Sequence, residues 1–270
     1  MSNLLFDRVA VIGVGLLGGS MALACKKHQL VGSICGFGRN VQRLQKAKDD
    51  GIIDDFSNDL EIAIKDADLV ILATPIGLFR GLAEKMVNGL KKGCVVTDLG
   101  SVKCSVIRDV EPFTLKAEVD FVPTHPIAGG ENSGFEFARP ELFEGKFCVV
   151  TPTKNTPTEA QNKVTKLWET LRANVEVRDP EEHDRLYAAT SHLPHVMAYA
   201  LLNSLGIMQT KTNEEYLSKG GNGLIDVVRL GASEPGMWRD ICLSNREFIL
   251  ELLDQFQLSL NDFKKKIDEG

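Results

Sequence analysis

Val9-Ala10-Val11-Ile12-Gly13-Val14-Gly15-Leu16-Leu17-Gly18 is the stretch from which the fold of this chain is read. Four β-favouring apolar residues run into a G-x-G-x-x-G spacing, and a helix-like stretch through Met21, Leu23 and Ala24 follows. In such a turn the first glycine permits the tight bend, the second lets backbone approach a pyrophosphate, and the third brings helix against strand. The helix N-terminus then offers amide donors to the phosphates. The spacing alone is a weak signal. Its position after an N-terminal strand and before a second one makes it a dinucleotide-binding turn, with Gly13, Gly15, Leu16, Leu17 and Gly18 as cofactor contacts.

Outward from this turn, short β-rich runs alternate with helical spacing. Ser33-Ile34-Cys35-Gly36-Phe37, Leu69-Val70-Ile71-Leu72-Ala73, Val95-Val96-Thr97-Asp98, Phe121-Val122 and Phe147-Cys148-Val149-Val150 read as strands. Leu78, Leu82, Met86 and Leu90 share a helix face between two of them. Strands alternating with helices imply βαβ units and a parallel sheet covered on both faces. Thr151 to Pro157 is polar and reads as a loop within this domain. From Pro180 the strand signal gives way to helical periodicity, including Phe248, Leu252, Phe256 and Leu260 on one face of the last helix. The expected fold class is α/β: a Rossmann-type parallel-sheet domain over residues 1–179, then an all-helical domain over 180–270.

The composition narrows the function classes. A chain of 270 residues with 43% apolar content has material for two domains, and a net charge of −6 argues against a nucleic-acid partner. No run approaches the length of a membrane span, and no signal-peptide pattern opens the chain, so the protein is expected to be soluble and cytoplasmic. The six cysteines lack C-x-x-C pairs and zinc-type histidine spacing. They read as reduced, mostly packed thiols, with no metal expected.

Two further stretches carry chemistry. His125-Pro126-Ile127-Ala128-Gly129-Gly130-Glu131-Asn132-Ser133-Gly134 sets a histidine and a glutamate in a glycine turn after a strand, and imidazole is suited to exchanging a proton near neutral pH. His125 is therefore a candidate base. Gly36-Phe37-Gly38-Arg39-Asn40 ends the second strand, where NAD-binding proteins present an acid to the ribose hydroxyls. Here the acid is missing, Gly38 leaves room, and Arg39 can bind a 2′-phosphate. NADP is favoured over NAD on that ground, with Arg43 either assisting or facing water.

The glycine turn through Ser20, Thr97-Asp98-Leu99-Gly100-Ser101-Val102-Lys103, the His125 to Gly134 block, Ser191-His192-Leu193-Pro194-His195, Arg229 and Met237-Trp238-Arg239-Asp240 occur in one order. Together they resemble the prephenate and arogenate dehydrogenases of tyrosine biosynthesis across almost the whole chain. The resemblance implies hydride transfer from a cyclohexadienol to nicotinamide with loss of carbon dioxide, His125 taking the ring hydroxyl proton and Ser101 bonding the same hydroxyl or orienting the imidazole. Ser101 also suits a helix N-cap before Val102. The resemblance assigns Arg229 to a substrate carboxylate and His195, with Ser191, to the side-chain end of the substrate. Glu131 goes to a polar network around the site, and Thr74, Pro75 and Ser101 to the cofactor.

His192 is assigned to packing between the domains and Trp238 to a core or interface anchor. For His183 and Asp184, helix capping and a hydrogen-bond link to the active site both stay open. Gly220-Gly221-Asn222-Gly223 reads as a flexible loop delivering Arg229. The resemblance also implies a homodimer made through the helical domain. Thr124, where the family often has glycine, is expected to narrow the approach to His125. No fused mutase or regulatory domain is expected. Prephenate is the leading substrate and arogenate the alternative; another NADP-dependent hydroxyacid dehydrogenase and a non-catalytic NADP-binding module are the remaining readings.

Overall fold

The structure is a computed structural model and describes residues 4–130, 132–212, 215–216 and 218–270. Its chain divides into two compact units after His183.

In the first unit, β1 (Phe6–Ile12), β2 (Val31–Phe37), β3 (Asp55–Ser57), β4 (Leu69–Leu72), β5 (Val95–Asp98) and β6 (Asp120–Val122) form a parallel sheet in the order β3-β2-β1-β4-β5-β6. The helices joining them are α1 (Leu16–Lys27), α2 (Val41–Asp49), α3 (Leu60–Ile64), α4 (Phe79–Met86) and α5 (Cys104–Lys116). The reversal of strand order lies between β1 and β2 on one side and β4 on the other, which opens a crevice at the carboxyl ends of these strands.

Both faces are covered, as continuous apolar strands require. Val9 and Val11 of β1, with Leu69 and Ile71 of β4, join one buried cluster, while Ala10, Ile12, Val70 and Leu72 join another. Successive residues of each strand thus supply opposite faces.

A second, three-stranded sheet was not expected from the sequence. β7 (Thr124–Pro126) pairs antiparallel with β8 (Phe147–Val150), which pairs parallel with β9 (Asn174–Val177), and α6 (Thr158–Thr170) connects the last two. Cys148 and Val150 of β8, with Val164, Leu167 and Trp168 of α6, extend the first cluster. The loop expected over Thr151–Pro157 is present. α7 (Pro180–Tyr187) follows β9, and Asp179 caps it by accepting from the amides of Glu181 and Glu182 at 2.8 and 3.2 Å. The capping role considered for His183 and Asp184 therefore belongs to Asp179.

The second unit is helical in its described residues. A π-helical turn (Ala188–His192) leads into α8 (Leu193–Thr212), followed by α9 (Asn222–Gly231), α10 (Pro235–Ser244) and α11 (Arg246–Glu269). Asn222 and Gly223 form the first turn of α9 with Gly221 as its N-cap, so the glycine segment read as a loop opens a helix, and Arg229 lies in that helix's last turn. No helix among the described residues is long and apolar enough to cross a membrane.

Candidate active site

The glycine turn is built as its spacing requires. Gly13 has φ +104°, a conformation that excludes most side chains, and a Cβ there would lie 2.9 Å from the Ala73 carbonyl and from Thr74. Thr74, and Pro75 after it, thus follow β4 beside the turn. A Cβ on Gly18 would lie 2.1 Å from the Gly13 carbonyl oxygen, so α1 can press on β1 only with glycine there. Gly15 is the N-cap of α1, with no side chain capping the helix, and a Cβ on it would meet nothing within 4 Å. Leu16 and Leu17 begin that helix, whose first amides are donors without intrahelical partners. Bare backbone facing open space above unclaimed amides fits a dinucleotide pyrophosphate.

Beyond the turn lies a cleft of about 550 Å³ lined by Val14, Gly38, Arg39, Asn40, Gln42, Arg43 and Leu44. None of these side chains is a carboxylate. A Cβ at Gly38 would meet only Leu44, at 3.4 Å, so the protein's own packing does not demand glycine there. Arg39 is exposed at this cleft. Arg43 is engaged elsewhere in part: its guanidinium pairs with Glu136 at 2.9 Å and lies over the Phe135 ring.

The carboxyl end of β5 carries a buried ion pair. Lys103 Nζ donates to Asp98 Oδ2 at 2.5 Å and to the Thr124 carbonyl at 2.6 Å, and both charged side chains are fully buried. The amides of Gly100 and Thr124 donate to the same carboxylate at 2.8 and 3.1 Å. Burial pushes the Asp98 carboxyl up from its ordinary range, and the Lys103 ammonium with the two amides opposes that rise. Thr124 adds a hydrogen bond from its hydroxyl to the Asp98 carbonyl at 2.5 Å. Its side chain is thus tied to β5 on the strand face opposite to that of its neighbour His125, and does not narrow the approach to the base as expected from sequence.

These bonds anchor β7, and with it His125, which is 9% exposed. Its Nδ1 lies 2.8 Å from Nε2 of His183, itself fully buried on α7, and the rings meet edge to face at 69°. Of the two roles open for His183, the hydrogen-bond link is the one realised. Ser101, half-buried, lies three residues beyond β5 and before α5, whose N-cap is Lys103, so Ser101 is not the cap. Glu131 lies outside the described residues.

In the second unit, His195 stacks on Trp238 with ring centroids 3.6 Å apart and planes 19° from parallel. Its Nδ1 lies 3.0 Å from the Ser191 carbonyl. A carbonyl only accepts, so Nδ1 carries the proton and Nε2 the lone pair. Burial holds this imidazole below its ordinary range, against the opposing Ser191 hydrogen bond and with a smaller contribution from the Arg229 cation, which favours the neutral form. His192 is buried, with Nδ1 3.0 Å from Asn245 Nδ2, which also donates to the Asp184 carbonyl. Trp238 is 7% exposed, yet its stacking on His195 gives it a contact that the sequence did not suggest. Arg229 is exposed.

Cys25, Cys35, Cys94 and Cys148 are buried, and burial pushes the thiols of Cys25 and Cys94 up to about 12. Such thiols are poor nucleophiles.

Residues 21–177 match the family described as prephenate dehydrogenase, nucleotide-binding domain, and residues 179–270 match prephenate dehydrogenase, dimerization domain. The chain belongs to the prephenate dehydrogenase family. It is a nucleotide-dependent dehydrogenase. The cyclohexadienyl dehydrogenase of Zymomonas mobilis is 33% identical over 262 residues, 97% of this chain and 89% of that relative. Among solved structures, the prephenate dehydrogenase of Aquifex aeolicus in complex with hydroxyphenyl propionate and NAD+ is 37% identical with a TM-score of 0.91, covering 97% of this chain and 91% of that one. The arogenate dehydrogenase of Synechocystis is 26% identical with a TM-score of 0.78, covering 97% of this chain and 92% of that one.

Proposed function

We propose that this chain catalyses the oxidative decarboxylation of prephenate to 4-hydroxyphenylpyruvate with hydride transfer to NADP. The buried His125 imidazole, anchored through β7 to the carboxyl end of β5, carries the reading, because the reaction needs a fixed base for the ring hydroxyl. When bound, the nicotinamide supplies the hydride acceptor. Neutral His125 takes the hydroxyl proton, so the carbinol carbon can release hydride. The ring ketone then draws in the electron pair of the departing carbon dioxide, and aromatisation makes the step irreversible. Ser101 bonds the same hydroxyl or orients the imidazole. The relatives named above act on substrates of this class, which supports the reading. The direct test is stoichiometry: one carbon dioxide and one reduced nicotinamide per prephenate consumed, with hydride transfer lacking decarboxylation as the outcome that overturns it.

Arg229 is proposed to bind a substrate carboxylate. Arg229→Leu is expected to raise KM for prephenate roughly 30-fold, the equivalent of about 2 kcal/mol, with kcat changed by less than about threefold. Steady-state kinetics over a wide prephenate range checks this; an unchanged KM removes the assignment.

A specific observation also supports a second substrate. The neutral His195 offers a lone pair at Nε2, which can accept from the ammonium of arogenate, whereas the keto group of prephenate is an acceptor only. Use of both substrates is therefore the second reading.

For the cofactor, the missing acid and the exposed Arg39 beside the cleft support NADP. Arg39→Ala is expected to raise KM for NADP about 10- to 100-fold and leave that for NAD within about twofold, since one charge-assisted bond to the 2′-phosphate is lost. Equal effects on the two cofactors would contradict this. We further propose that residues 180–270 form the substrate-binding and dimerisation domain of a homodimer. Leu258, Phe263 and Ile267 expose 62%, 64% and 80% of their surface along α11, which supports a partner for that helix.

A further inference from the structure

We propose that His183 is a positioning residue which sets the tautomer of His125; the proposal rests on the reading of His125 as the base. The two imidazoles share one hydrogen bond, from Nδ1 of one to Nε2 of the other, and a single N–H can serve it. Two arrangements exist. If His125 donates from Nδ1, its lone pair is at Nε2 and a substrate proton enters there. If His183 donates from Nε2, His125 carries its own proton at Nε2 and cannot accept one at that atom.

The surroundings favour a fixed partnership over chance contact. His183 is fully buried on α7, with its amide bonded to the Asp179 carbonyl at 2.9 Å, while Asp179 caps the helix. His125 is held in β7 by pairing with Val149 of β8 and, through Thr124, by Asp98 and Lys103. Both rings therefore sit on anchored backbone, and the edge-to-face geometry aims a ring nitrogen of each at the other. During turnover the substrate O–H bond breaks and an N–H bond forms at His125 Nε2. The imidazolium so formed donates from Nδ1 to Nε2 of His183, which supports the positive charge. His183 thus acts twice: it places the lone pair before the reaction and supports the cation after it. A third group that orients a base is a recurrent requirement of such chemistry, and a wrong tautomer abolishes most of the benefit of a well-placed imidazole.

The test uses the full chain with NADP bound. Long-range 15N–1H correlation spectra of 15N-histidine protein report the tautomer of each ring, with His125→Asn and His183→Gln identifying the signals. The expected result for the wild type is His125 protonated at Nδ1. His183→Phe, which keeps a ring but no acceptor, should lower kcat about 10- to 100-fold with KM within about twofold, and should move the His125 proton at least partly to Nε2. His183→Gln, whose side-chain carbonyl oxygen can replace Nε2 as acceptor, should restore most of kcat. An Nε2-protonated His125 in the wild type overturns the proposal even if His183→Phe fails to fold. So does a folded His183→Phe with unchanged kcat and unchanged tautomer. Failure of the underlying reading would look different: His125→Asn would retain wild-type kcat, whatever the tautomer.

Discussion

His125→Asn is expected to lower kcat about 10²- to 10⁴-fold, the range over which a positioned general base acts. KM should change by less than about threefold, because the imidazole is assigned to the moving proton and not to the carboxylates. The loss should depend on pH with a definite sign. Only the neutral imidazole accepts a proton, so wild-type activity falls as the solution becomes more acidic, and the asparagine variant should lack that fall. The comparison requires a folded variant, which the geometry makes reasonable. β7 is held through backbone pairing and the Thr124 anchor, none of which uses the imidazole. Pre-steady-state mixing of enzyme, NADP and prephenate separates the chemical step from product release. An unchanged burst of reduced nicotinamide in His125→Asn would remove the base assignment.

The second large effect concerns stability. Lys103→Met leaves the Asp98 carboxylate buried with two amides but no cation, and removing one partner of a buried pair costs about 3–5 kcal/mol. That is a large fraction of the stability of an ordinary domain. Urea unfolding followed by Trp168 fluorescence in a Trp238→Phe background reads this loss in the first unit, since those are the two tryptophans of the chain. Asp98→Asn combined with Lys103→Met should recover more than half of it, because asparagine still accepts from the amides without a buried charge. The pH dependence follows from the direction in which burial drives Asp98. A carboxyl raised above its unfolded value contributes stability that is fully present below the unfolded pKa and lost as pH rises through the folded one. Lys103→Met should therefore approach the wild type in acid and fall furthest behind it at neutral pH. A deficit independent of pH would mean that lost packing, not the unpaired carboxylate, sets the cost.

The sequence made the first half of the fold legible because its signals are local. The apolar run Val9 to Ile12 and the three glycines lie within ten residues, and Gly13 and Gly18 each have a steric reason in the structure. The small sheet was not legible. β7 spans three residues including a proline, and β9 is a short segment of half-exposed and exposed residues with no apolar run. The Asp98–Lys103 pair escaped for another reason: the residues were visible as part of a family-like stretch, but nothing in a sequence shows that both are buried against the backbone of Thr124. Glycine misled at Gly220 to Gly223, where its turn propensity outweighed the helical spacing of the residues after it. For His183, spacing allowed two roles, and only the position of Asp179 as the cap and of His125 across the hydrogen bond separates them. Trp238 shows the same limit, since its stacking on His195 joins residues on different helices.

Initial rates of the purified protein with prephenate and with arogenate, each with NADP and with NAD, test the central claim most directly. The predicted result is nicotinamide reduction with prephenate, faster with NADP than with NAD at equal concentration, and a measurable rate with arogenate. Absence of nicotinamide reduction in all four combinations, from a protein shown to bind NADP, would contradict it.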